Sequence, residues 1–335
     1  MILVTGGTGF VGAYLLAELA KEGKPVRALK RPSSSTKYTE ELFIYKFGEK
    51  GPGLFATIEW VLGDIMEIYT LDEALQGVED VYHCATEVSL RDEAPDEIIL
   101  TAEKGTENMV NASLARGVRK FCHVSSVAAL GENNVGKEIT EEAFEEFVFE
   151  NSPYAVGKHL AEAQVWRANG EGLNTVVVCP SMIMGAWPGN KGTMSMFKFI
   201  AKQSGYYTTG TMGYVDVQDV IMTMLALMNG NHFGERYIIS AENISFKDLF
   251  TSIAKSIGKP VPKRQLSLIT LNIFRFFNNM FSRTKITSTM VDHGNGTYVF
   301  GNKKITTTLG YTFRPIKESI EEMGSFFMDE KSKRQ

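Results

Sequence analysis

A short apolar strand runs directly into glycines spaced three residues apart. Met1 to Thr5 reads MILVT, Gly6, Gly9 and Gly12 follow within TGGTGFVG, and AYLLAELAKEG then carries helical periodicity. Glycine at such a junction permits the tight turn, lets the backbone approach a phosphate, and lets the helix pack closely on the strand. The helix N-terminus offers free N–H groups and the positive end of a dipole to an anion. A glycine pattern alone often marks an ordinary turn. Its place at the first strand-to-helix junction favours a pyrophosphate-binding turn, and hence an open parallel sheet.

The next strand is Pro25 to Lys30 (PVRALK), followed by Arg31. A site for NAD usually carries an acid near the end of this strand for the ribose hydroxyls. Here Lys30 and Arg31 stand instead. A cation there pairs with a 2′-phosphate, and arginine does so in bidentate fashion. The pattern favours NADP and leaves NAD possible; solvated loop charges are the plainer reading of the same two residues.

Strand and helix patterns alternate through about Gly185. Ser33 to Thr57 is polar and glycine-containing, with a helix in its middle weakly marked. Then come strand IEWVL (58–62), helix 70–75, strand VEDVYHCAT, helix 95–116, strand RKFCHVSS, helix 153–169 and strand NTVVVCPSMIMG. This alternation predicts an α/β fold: a Rossmann-type, doubly wound parallel sheet with helices on both faces. Ligands then bind at the carboxyl ends of the strands, which carry Gly6, Arg31, Asp64, Ala85-Thr86, Ser125-Ser126 and Pro180-Ser181. Beyond Gly185 the period weakens and Gly, Met and Phe increase. Residues 1–185, joined by part of 206–240, are expected to form the nucleotide-binding domain. Most of 186–335 is expected to form a smaller, discontinuous C-terminal substrate-binding domain.

With 335 residues the chain can bury a large core. A formal net charge of −4 gives no electrostatic footprint for nucleic acid. Cys84, Cys122 and Cys179 lie in apolar runs and read as reduced, buried thiols of a cytoplasmic protein. No metal-binding spacing is present. With Met1 opening the first strand, no signal peptide is expected. No apolar run reaches the ~20 residues that span a bilayer. The stretch from Leu266 to Phe281 is interrupted by polar residues and reads as an amphipathic helix over a pocket or interface, with membrane-surface contact as the lesser reading.

Tyr154 and Lys158 stand one helical turn apart in SPYAVGKHLAEAQ. A tyrosine with an ordinary pKa near ~10 exchanges protons poorly at neutral pH, and a nearby ammonium favours its ionised form. Lys158 is expected to supply that charge and to bond the nicotinamide ribose. Either Ser125 or Ser126, at the end of its strand, is placed to donate to a substrate oxygen and stabilise developing charge. Strand alternation turns only one of them into the crevice. His83 and His123 read as satisfied core histidines. Asp216 and Asp219 in YVDVQDVIMTML read as capping residues at a helix start, with substrate-binding groups as the second reading. Met182, Met184, Met194, Met196, Phe197 and Phe199 suit an adaptable apolar pocket, or simply a core.

Taken together, TGGTGFVG, the acid of GDI (Asp64), VYHCAT, HVSSVAALG, YAVGK and YVDVQDV resemble an extended short-chain dehydrogenase/reductase over nearly the whole chain. The resemblance explains the GxxGxxG spacing and places the catalytic serine on Ser126, beside Tyr154 and Lys158. Cofactor contacts are expected from Gly6, Thr8, Gly9, Phe10, Val11, Gly12, Lys30, Arg31, Asp64, Ile65, Ala85, Thr86, Ser125, Tyr154, Lys158, Pro180 and Met182. VRALKRP, VYHCAT and CPSMIMG are similar to the dihydroflavonol-reductase-like and 3β-hydroxysteroid-dehydrogenase-like branch. That branch moves hydride between a nicotinamide and a carbonyl or alcohol carbon, usually with NADP in its reductases. Nucleotide-sugar epimerases and dehydratases with bound NAD are the alternative. They usually carry an Asn in an NVxGT motif where this chain reads AEKGT, and would need cations such as Arg236 and Arg264 for the diphosphate. The resemblance further implies a homodimer, through helices 95–116 and 153–169, and a small-molecule substrate.

Overall fold

The computed structural model describes residues 1–85, 95–130, 137–143, 152–189, 192–202, 205–266 and 294–332. Thr86 and all but the first residue of the 266–281 stretch lie outside the described residues.

Seven strands build the main sheet: β1 (Ile2–Thr5), β2 (Val26–Lys30), β3 (Glu59–Leu62), β4 (Asp80–His83), β5 (Lys120–Val124), β7 (Asn174–Pro180) and β11 (Glu235–Ile239). Their order is β11-β7-β5-β4-β1-β2-β3, with every neighbour parallel. The chain starts in the middle, winds outward to β3, returns to β4 and winds out the other way. The order therefore reverses between β1 and β4, which opens the crevice where a ligand sits in such sheets.

Alternation along each strand sends side chains to two cores. Val4, Ala28, Tyr82, Cys122, Val124, Val176 and Val178 face one core. It is shared with α1 (Phe10–Lys21), α2 (Lys37–Phe47) and α8 (Val217–Asn229). Leu3, Leu29, Val81, Phe121, Val177 and Cys179 face the other. There α4 (Ile68–Ala74), α5 (Pro95–Ala115) and α6 (Pro153–Gly170) cover them. Helices α5 and α6 pack so closely that a Cβ on Gly157 would lie 3.1 Å from Ala102. The weakly marked region after β2 is mostly helical: α2 leads through one 3-10 turn into α3 (Gly51–Phe55).

One expected strand is two. NTVVVCPSMIMG breaks at Ser181: β7 ends at Pro180 in the main sheet, and β8 (Met182–Met184) joins a separate sheet ordered β12-β10-β8. Its partners are β10 (Thr211–Asp216) and β12 (Glu242–Ser245). Ser181 still bonds the main sheet, its N–H donating to Ile239 O at 3.0 Å. Around this second sheet lie α7 (Met194–Ala201), α9 (Phe246–Ser256) and α11 (Ile316–Ser332), whereas α10 (Lys303–Leu309) packs against β11 of the main sheet and against α8. Short pairs β6 (Glu138–Ile139) with β14 (Val299–Phe300), and β9 (Tyr206–Tyr207) with β13 (Arg264–Gln265), complete the strands described. The apolar series Met184, Met194 and Phe197 is fully buried in the first core; Phe199 is exposed.

Candidate active site

The turn between β1 and α1 is built on glycine. Gly6 has φ +70°, and a Cβ on it would lie 2.7 Å from the backbone of Cys84 and Ala85, at the mouth of β4. A Cβ on Gly12 would collide with the Gly6 backbone. Gly9 occupies the N-cap of α1 without a capping side chain, so the first N–H groups of α1 have no side-chain acceptor. Thr5 Oγ1 accepts from Ala85 N at 3.1 Å and shares a 2.8 Å hydrogen bond with His83 Nδ1, tying β1 to β4 beneath the turn.

A cleft of about 350 Å³ opens over this turn. Thr5, Gly6, Thr8, Gly9, Lys30, Arg31, Ser34, Asp64, Ile65, Cys84, Ala85 and Thr101 are among its walls. Asp64 is fixed there: its N–H donates to Thr70 Oγ1 at 3.0 Å and its Oδ1 accepts from Met66 N at 3.0 Å. Lys30, Arg31 and Asp64 thus share one cleft with the glycine turn, although 50 or more residues separate the two ends in sequence. The glycine cradle, the unoccupied donors of α1 and a charged rim fit a dinucleotide.

On the far side of β4, β5 delivers its two terminal serines to different partners. The Ser126 hydroxyl hydrogen-bonds Tyr154. Ser125 is buried, and its hydroxyl donates to Glu162 Oε1. Lys158, 2 % exposed, donates from Nζ to Val124 O at 2.7 Å. Helix α6 begins cleanly because Ser152 accepts from Ala155 N and Pro153 sits in the first turn. Tyr154, Lys158 and Glu162 then follow at intervals of four along one face.

Residues 2–240 match the family described as NAD dependent epimerase/dehydratase. The chain belongs to that family. It is an NAD(P)-dependent enzyme of the extended short-chain dehydrogenase/reductase type. Among its relatives is a putative dihydroflavonol 4-reductase of Synechocystis sp. (strain ATCC 27184 / PCC 6803 / Kazusa). The two are 30% identical over 272 residues, which is 79% of this chain and 75% of the relative. Cinnamoyl-CoA reductase 1 of Petunia hybrida is 24% identical over 335 residues, covering 96% of this chain and 90% of the relative. The crystal structure of gox2253 superposes with a TM-score of 0.82 at 26% identity, covering 98% of both chains.

Within this epimerase/dehydratase-family site, burial sets the charges of the two helix residues. Burial pushes the Tyr154 hydroxyl up, and the Ser126 hydrogen bond is what opposes it. Lys158, whose ammonium donates to Val124 O, is itself lowered to about 8 by burial. Two expectations change. Arg236 does not stand free for a diphosphate: Nη1 pairs with Glu162 Oε2 at 3.2 Å and Nη2 donates to Glu141 O at 2.5 Å. His83 is satisfied by Thr5 and Thr106, but His123 is not. Buried and stacked on His83 at 5.5 Å, His123 has no hydrogen-bond partner for either ring nitrogen among the described residues.

Asp216 caps α8, accepting from Gln218 N at 2.7 Å. Asp219 instead sits in the first turn and holds the C-terminal segment, accepting from Tyr311 Oη at 2.8 Å and Arg314 N at 2.9 Å. Sequence reasoning missed Ser34 in the cleft wall and Glu162 behind Lys158. The four-residue spacing from Lys158 was the available signal for Glu162.

Proposed function

We propose that the chain is an NADP-dependent reductase of a moderately apolar carbonyl, working with Ser126, Tyr154 and Lys158. The observation that carries the proposal is the hydrogen bond between Ser126 and Tyr154, with buried Lys158 one turn further along α6. When bound, the nicotinamide supplies the hydride that reaches the carbonyl carbon. The carbonyl oxygen then takes its proton from the Tyr154 hydroxyl. Ser126 donates to the same oxygen and stabilises the charge that develops on it. Lys158 bonds the nicotinamide ribose and lends positive charge to the proton-transferring site.

Lys30 and Arg31, in the wall of the cleft where NAD-preferring sites carry an acid, support NADP as the cofactor. Gly6, Thr8, Gly9, Phe10, Val11 and Gly12 serve the pyrophosphate, and Asp64 and Ile65 the adenine. The division into a nucleotide-binding unit and a smaller substrate unit is part of this reading, supported by the separate β12-β10-β8 sheet. So is a homodimer through α5 and α6. Three free cysteines suit a reducing compartment such as the cytoplasm. Among the described residues no helix is long and apolar enough to cross a membrane.

The test is a thermal-shift panel with NADPH, NADH and UDP-, GDP- and dTDP-sugars, because a specific ligand raises apparent stability. NADPH should give the largest shift and the sugars none. A large shift with one nucleotide sugar, together with NADH preferred over NADPH, would replace the reductase reading with that of an epimerase or dehydratase.

A further inference from the structure

Glu162 is 3 % exposed, and its carboxylate is held from three separate strands. From the end of β5, Ser125 donates to Oε1. Cys179 Sγ on β7 lies 3.5 Å from the same oxygen. From β11, Arg236 pairs with Oε2 at 3.2 Å. A plain ion pair with Arg236 would need only the last of these. The added donors fix the carboxylate one helical turn beyond Lys158, on the face that carries Tyr154.

We propose that Glu162 is a positioning residue for Lys158: its carboxylate, fixed by Ser125, Cys179 and Arg236, keeps the lysine ammonium charged in a desolvated site. The proposal rests on the role given to Lys158 above. The other titratable groups around Lys158 supply no negative charge. Tyr154 on the same helix is kept protonated by burial. His83 on β4 is lowered to about 3, and His123 on β5 well below its ordinary value, so both imidazoles are neutral at pH 7. Burial raises the Cys84 thiol to about 12 and pushes Cys179 up as well, so neither is a thiolate. Glu162 is the first of the groups that oppose the desolvation of Lys158. A charge one turn away through a dry interior is screened far less than one at the surface.

Glu162 and Arg236 also line a second cleft, of about 1160 Å³, with His159, Trp166, Lys303 and Thr308. The walls of this cleft are separate from those of the cleft over the glycine turn.

The test reads the titration of Lys158 directly. Trace acetylation by acetic anhydride between roughly pH 6 and 11, with peptide mass spectrometry at Lys158, follows the neutral amine without any substrate. In Glu162→Gln the midpoint should fall by roughly one pH unit, and Glu162→Asp should restore part of it. The double variant Glu162→Gln/Arg236→Gln also removes the arginine charge that the single variant leaves unpaired, and is measured if the single variant fails to fold; its midpoint should also fall. A purely structural ion pair would leave the midpoint where it is, and an unmoved midpoint in a folded variant overturns the proposal. Turnover is followed in the same variants, where loss of the ammonium at lower pH should reduce kcat from the alkaline side. Wild-type protein that turns over no carbonyl with either cofactor would count against the reductase reading alone, because the labelling midpoint stands apart from it.

Discussion

Two adjacent serines at the end of β5 do different work. Ser126 meets Tyr154, so Ser126→Ala should reduce kcat by the equivalent of about 3 kcal/mol while leaving the melting temperature close to wild type. Ser125 satisfies a buried carboxylate, so Ser125→Ala should destabilise by about 1–3 kcal/mol, measured by urea titration. Equal effects of the two changes on kcat would show that the division is wrong. Tyr154→Phe keeps the ring and loses the proton, so it should abolish turnover and leave cofactor affinity, read by fluorescence titration, nearly unchanged. The sequence marked Tyr154, Lys158 and the serine pair because their types and spacing are local. Strand alternation said that the serines diverge, but choosing between them needed the partner across the crevice, which lies in another element. Glu162 was passed over for the same reason: its partners come from β5, β7 and β11, and none of them is near it in sequence.

The glycine turn is the element most plainly written in the chain, because its requirement is steric and local. Gly12→Ala would drive a methyl group into the Gly6 backbone. It should lower stability by roughly 1–3 kcal/mol and remove the thermal shift given by nicotinamide cofactors. A variant with a wild-type shift would mean that the turn can yield. Most parallel strands were equally legible, since each is a short apolar run bounded by polar turns. The run from Asn174 to Gly185 was not, because nothing in its hydropathy marks the point where the backbone leaves one sheet for another. The region after β2 hid its helices behind polar and glycine residues, and only the burial of Leu42 and Phe43 against α1 reveals what stabilises α2. Asp219 looked like a capping residue because it lies beside Asp216, which does cap the helix; its true partners are at positions 311 and 314.

At the scale of the whole molecule, the cleft joins the glycine turn to the cations after β2. Arg31→Ala should weaken NADPH roughly tenfold to a hundredfold and leave NADH almost untouched, and added salt should shrink the wild-type preference. Direct titration of both cofactors checks it; tighter NADH than NADPH binding by the wild type would sink the NADP reading. Acid should act through the interior. His83 titrates near 6.5 when unfolded but at about 3 when folded, so the unfolded chain binds the extra proton between those values. Stability should therefore fall as pH drops from about 6.5 towards 3, and His83→Asn should flatten that slope in urea midpoints measured across the range. The ties between α8 and the C-terminal segment carry a consequence in time. Asp216 and Asp219 open α8, which packs in the core of the main sheet, yet their partners Tyr311, Arg314 and Ser319 lie 92 to 103 residues further along. A ribosome adding about 5–20 residues per second leaves those two carboxylates without these partners for roughly five to twenty seconds. Chains arrested on the ribosome just short of Tyr311 should be cut readily by protease around α8, and chains released past Ser319 should resist.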